Sequence, residues 1–184
     1  RARIVETDGT IVGVHFFKQT PVFVLGEEAL LFAPAEGTRS VAIHGGAILV
    51  SAADGARIVT GGDDGRFLRF SPDGTVTEIA GFGMKWVEHV AAHPDGKGVL
   101  ACAVGKSVHV FDGAGTKLKT VQHPSSVTGL VFDAKGKRFA ASHYGGASVW
   151  FVASKTDNPR KLDWKGSHTG IAMRNDRRPR GATL

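Results

Sequence analysis

Three stretches of this chain superimpose without gaps, and the interval between them constrains the fold more than any other feature. Gly55 is followed fifteen residues later by Phe70, Gly96 by Phe111 and Gly136 by Phe151, so the glycines stand 41 and 40 residues apart and the aromatics likewise. A weaker copy ends at Phe32, 38 residues before Phe70, and a further one begins near residue 156 without finishing. Self-similarity at about 40 residues is the mark of a repeat architecture in which stacked units share their cores.

Each copy divides into short apolar stretches separated by turn chemistry. Asp54-Gly55, Pro94-Asp95-Gly96 and Lys135-Gly136 interrupt one pair of stretches, and Asp64-Gly65 and Gly145-Gly146 the next pair. Such pairs supply a fixed φ or the freedom to adopt φ > 0 that tight hairpins require. A third set of turns follows each aromatic: Ser71-Pro72-Asp73-Gly74, Asp112-Gly113-Ala114-Gly115 and Ala153-Ser154-Lys155. No segment sustains apolar residues at i, i+3, i+4 and i+7 over a helix length. Four strands in about 40 residues, repeated, predict an all-β fold of propeller blades, with Phe70, Phe111 and Phe151 at equivalent, buried positions.

At these residues the chain resembles the WD40 repeat family. "HPDGKGVLACAVGKSVHVFD" (residues 93 to 112) is similar to that family's turn, small-residue central strand and closing strand, with Val108, Val110, Phe111 and Asp112 carrying the ending. "SSVTGLVFDAKGKRFAASHYGGASVWF" (125 to 151) follows the same course and sets Trp150-Phe151 at the Trp-Asp position. The likeness covers about residues 37 to 170 and is greater to compact bacterial members than to signalling-type ones. It implies a β-propeller of about four four-stranded blades, at 9–37, 38–74, 75–115 and 116–155, plus an incomplete one at 156–170. Rings of this family close with six to eight blades, so the resemblance implies a partial ring with open strand edges, prone to self-association. The family's Gly-His dipeptide survives only as Ile43-His44, Gln122-His123 and Ser167-His168, so the hydrogen-bonded His/Ser/Asp/Trp set of a typical blade is expected to be incomplete.

Charge then limits the function. The net charge is +6, yet residues 1 to 155 hold 16 basic and 14 acidic side chains, while 156 to 184 hold 7 and 3. The excess therefore belongs to the end of the sequence, and residues 171–184, with Arg174, Arg177, Arg178 and Arg180, are expected to form a basic tail, disordered or out of register with the family. A nucleic-acid-binding propeller would spread its cations over the blades, so nucleic acid is not the expected partner. No apolar run approaches the ~18 residues that cross a bilayer. The single cysteine, Cys102, sits in an apolar stretch, forms no intrachain disulfide and suits a reducing compartment, so a cytoplasmic location is expected.

Catalytic and metal constellations are weak. His89 and His93 have a metal-ligand spacing for a helix, but in a strand they lie about 13 Å apart. His123 with Ser125 and Ser126 offers a base and nucleophile in name only, since no nucleophile elbow accompanies them. The Gly61-to-Gly65 stretch lacks the Lys-Ser/Thr of a phosphate loop and reads as a hairpin. No catalytic residue, metal or cofactor is expected.

The family layout places alternate loops on one face and gathers there His44, Asp63, Asp64, Lys85, Trp86, Lys106, His123, Tyr144, Trp164, Lys165 and His168. Aromatic and charged side chains on one rim are what recognition surfaces use, and a non-enzymatic scaffold for a protein or peptide partner is the leading expectation. The alternatives are a propeller enzyme or small-molecule binder using the central channel, or a nucleic-acid-binding propeller acting through the basic tail. Trp86 and Trp164 have a second reading, favoured for both, as wedges packed between blades. Tyr144, beside Gly145-Gly146, is expected at a loop tip.

Overall fold

In the computed structural model, residues 3–93, 95, 98–155 and 158–173 are described. Among them every regular element is a β-strand, and the strands form four antiparallel sheets of four in chain order. The first holds β1 (Ile11–Phe17), β2 (Thr20–Leu25), β3 (Ala29–Phe32) and β4 (Arg39–Ala42). The second holds β5 (Ile48–Ala53), β6 (Ile58–Gly62), β7 (Arg66–Phe70) and β8 (Val76–Gly81). The third comprises β9 (His89–Ala92), β10 (Leu100–Val104), β11 (Ser107–Phe111) and β12 (Lys117–Gln122). The fourth comprises β13 (Val127–Phe132), β14 (Arg138–His143), β15 (Gly146–Phe151) and β16 (Arg160–Asp163). β5 touches β1 and β9, and β9 touches β13, so the first strand of each sheet lies innermost and the fourth outermost. This is the blade arrangement of a propeller.

Turn chemistry closes the meanders as the sequence predicts. Asp54 accepts hydrogen bonds from the backbone N–H groups of Ala56 and Arg57 and pairs with the Arg57 guanidinium; Asp133 does the same for Lys137 and Arg138. Asp112 accepts from Ala114 and Thr116, and Asp73 from Thr75. At the β6–β7 hairpin Gly65 has φ 74°, and a Cβ there would collide with the Gly83 carbonyl, so only glycine fits. Pro94 and Gly96, the expected turn before β10, lie outside the described residues.

The core is not inside the sheets but between them. Phe17, Val22, Leu30, Phe32, Ile58, Leu68 and Phe70 fill the space between sheets one and two. Val59, Phe67, Val90, Leu100, Cys102 and Phe111 fill the next, and Ala101, Val108, Val110, Phe132, Phe139 and Trp150 the third. None of these three clusters joins the fourth sheet to the first. On β1, Val12, Val14 and Phe16 are exposed, as are Phe151 and Leu162 on the fourth sheet.

Two expectations need correction. Phe70 and Phe111 are equivalent and buried, but Phe151 is 60% exposed. Phe70 pairs with Ile58 and Phe111 with Leu100, each facing the preceding sheet, whereas in the fourth sheet Phe139 pairs with Trp150 and fills that place. Neighbouring strand residues face opposite ways, so Phe151, opposite Arg138, points to the uncovered side. The sheets are also offset from the repeat intervals: each fourth strand falls in what the sequence counts as the following unit. Thus 156–170 starts no fifth sheet among the described residues; β16 pairs with β15 and completes the fourth. Of the expected basic tail, residues 174–184 lie outside the described residues.

Candidate recognition face

Because the sheets are meanders, their connections alternate between two ends. The loops β4–β5, β8–β9 and β12–β13, the hairpins β6–β7, β10–β11 and β14–β15, and the segment after β16 all share one end. Backbone hydrogen bonds knit these connections together: Val87 N–H donates to Gly62 C=O, Val127 to Gly105, His123 to Lys106 and Trp164 to Gly145. All eleven residues expected on the rim lie in these connections.

Their accessibility separates them into two groups. Trp86, Tyr144 and Trp164 are 57%, 61% and 74% exposed, so neither tryptophan is wedged between sheets in this structure. Trp86 lines an open groove of about 520 Å³ with Met84, Lys85, Glu88 and Lys106. Trp164 lines a smaller one with Leu162, His168 and Ile171, and the His168 ring N–H donates to the Trp164 carbonyl at 3.0 Å. Tyr144 stands at the β14–β15 tip, its backbone N–H held by Ser125 Oγ at 2.9 Å. Lys85, Lys106 and Lys165 are exposed.

His44 and His123, expected as contact residues, are instead buried, each 5% exposed. His44 Nδ1 lies 3.0 and 3.1 Å from the Asp64 carboxylate oxygens and its Nε2 lies 2.8 Å from Thr60 Oγ1. Asp64 also accepts the Gly45 and Arg66 N–H groups. Burial works against its charge, but hydrogen bonds from His44, Gly45 and Arg66 outweigh that and hold the carboxyl below its ordinary range. Three members of the expected His/Ser/Asp/Trp set are therefore present in the second sheet, with Thr60 in the hydroxyl's place and Leu68 opposite it. The set ties the β4–β5 loop to the β6–β7 hairpin.

His123 does a similar service for the fourth sheet. Its Nδ1–H donates to the Lys106 carbonyl at 3.2 Å, which leaves Nε2 to accept the Trp150 indole N–H, also at 3.2 Å. The His143 ring lies 5.7 Å away and its Nε2 accepts from Ser148 Oγ at 3.0 Å. His123 and Ser125 thus bind different groups and form no nucleophile–base pair. Among the described residues no group of three or more His, Cys, Asp or Glu could hold a metal. Cys102 is buried, and burial raises its thiol pKa.

Protonating His123 would set an N–H donor against the Trp150 N–H. Burial, first, and the neighbouring His143 lower its pKa below the usual 6.5, partly offset by the Lys106 carbonyl. The folded state therefore binds fewer protons than the unfolded one below about pH 6.5, and stability is lost as pH falls through that value. His15, His89 and His109, lowered chiefly by burial, add the same sign; His93, where burial is outweighed by Asp95, the Ala134 carbonyl and Asp133 acting together, opposes it. Urea melts at pH 7.5 and 5.5 are expected to show lower stability at the acid end, and a smaller difference in His123→Gln. An equal difference in both proteins would show that His123 does not contribute.

No family model and no curated protein matches the sequence. Among solved structures the chain is similar to one described as "Crystal Structure of Mitotic Checkpoint Complex", with a TM-score of 0.71 at 18% identity, covering 91% of this chain and 55% of that one. At that identity the likeness speaks for the fold alone, and the present chain spans about half the length of its counterpart. No helix among the described residues is long and apolar enough to cross a membrane. Sheet order, packing between sheets and this likeness together make the described residues an all-β, propeller-type array of four four-stranded sheets.

Proposed function

We propose that this chain is a non-enzymatic scaffold of WD40 type that docks a protein or peptide on the face built from the β8–β9, β10–β11 and β14–β15 connections and the segment after β16. The observation that carries the reading is the exposure of Trp86, Tyr144 and Trp164 on that one end, together with Met84, 96% exposed. Exposed aromatics beside cations are over-represented among the residues that dominate binding energy. Lys85, Lys106, Lys165 and His168 supply the cations, and His44 and His123 hold the loops from beneath. The similar solved structure is that of a complex, which is in keeping with a docking role.

Peptides selected on the wild-type chain from a random display library provide the test. Trp86→Ala and Tyr144→Ala are each expected to cost about 2 kcal/mol of binding, roughly thirtyfold in Kd. Melting temperatures should barely move, because exposed side chains contribute little to stability. Peptides that bind both variants as tightly as the wild type would remove this face from consideration.

A further inference from the structure

The opposite end of the sheets carries a different kind of site. Between the first and second sheets lies a cavity of about 650 Å³, within the range of small-ligand pockets. Its walls are the rings of Phe17, Phe32, Pro34 and Pro72, and Gly55 and Ala56 leave its side open. Phe17 and Phe32 belong to the inter-sheet core, so the cavity opens directly onto core apolar surface.

Two cations stand in this apolar lining. Arg39 stacks over the Phe32 ring with its guanidinium carbon 5.4 Å from the centroid. Lys18 occupies the β1–β2 turn at φ 56°, the one non-glycine in the left-handed region among the described residues. A side chain with a Cβ is disfavoured there, and such outliers gather at functional sites. Among the described residues no carboxylate lines the cavity, and neither Lys18 nor Arg39 forms an ion pair with one. An apolar chamber with two uncompensated cations is complementary to a ligand that is apolar along its body and anionic at one end.

We propose that this cavity binds a small apolar carboxylate, its aromatic or aliphatic body between Phe17, Phe32, Pro34 and Pro72 and its carboxylate against Arg39 and Lys18. The planar guanidinium fork, set over the Phe32 ring, matches a carboxylate in a way an ammonium cannot. Size and shape favour a free small molecule over a peptide, whose backbone would need a longer groove.

The test uses 2-naphthoate and decanoate as probes, with 2-naphthalenemethanol and decanol as neutral counterparts, in calorimetric titrations of the whole chain. The acids are expected to bind about tenfold or more tightly than the alcohols, the margin of a hydrogen bond to a charged group. Arg39→Gln should erase that margin while leaving alcohol binding in place. Ala56→Phe, at an exposed position on the cavity's side, should weaken both ligand classes, and Trp86→Ala on the far end should weaken neither. Equal binding of acid and alcohol by the wild type would overturn the proposal. So would acid binding unchanged in Arg39→Gln or Ala56→Phe, or binding of a peptide ending in a free Phe carboxylate with no binding of the small acids.

Discussion

Trp150→Ala is expected to lower the unfolding free energy by about 3–5 kcal/mol, the usual cost of truncating a buried tryptophan. The side chain is nearly inaccessible and its indole stacks on Phe139, ring centroids 6.4 Å apart and planes 11° from parallel. Truncation opens a cavity between the third and fourth sheets and strips the buried His123 Nε2 of its donor. The two losses separate experimentally. Trp150→Phe keeps most of the packing and removes only the hydrogen bond, so it should cost about 1–3 kcal/mol, the desolvation penalty of an orphaned buried acceptor. Chemical denaturation of both variants at pH 7.5 measures this. A loss below about 1.5 kcal/mol for Trp150→Ala would mean that the fourth sheet is not anchored through this residue.

A similarly large effect is expected at Phe70 and almost none at Phe151, although the two occupy the same place in the sequence repeat. Phe70 is fully buried, with its ring 5.0 Å from Phe32 and 6.3 Å from Phe17. Phe70→Ala should therefore cost about 3–5 kcal/mol. Phe151→Ala removes a side chain that faces solvent and should change stability by less than about 1 kcal/mol. Thermal and urea melts of the pair decide the matter: comparable losses would mean that something covers Phe151 in solution.

That contrast marks where sequence reasoning stops. The interval between glycine and aromatic is the same fifteen residues in all three copies, and it located the four-strand units and their turns. It could not tell which of two adjacent aromatics faces inward, because a one-residue change of register turns every side chain over. Gly136 and Phe151 keep the interval while Phe139 and Trp150 take the buried pairing. A repeat also has no intrinsic starting point, so spacing left open which strand begins a sheet. At the end of the sheets proposed for docking, the alternation of loops expected from the sequence groups the same connections as the fold does, and Trp86, Tyr144 and Trp164 are exposed there. The burial of His44 depends on Thr60 and Asp64, sixteen and twenty residues away, and that of His123 on Trp150, 27 residues away. Partners that distant leave no local trace. The Phe17–Phe32 cavity is assembled from four separate segments, and only the fold brings them together.

Since each apolar cluster lies between two sheets, no sheet owns a core of its own. The energetic unit is the contact between neighbours, as in a one-dimensional stack. The faces turned toward the preceding sheet carry the large aromatics Phe70, Phe111 and Trp150 at corresponding places. A genetic event that removes or duplicates one whole repeat therefore brings together surfaces of the same general kind, aromatic and aliphatic. An event that cuts within a repeat sets strand edges against mismatched neighbours. Whole repeats are therefore the natural unit in which the stack could grow or shrink.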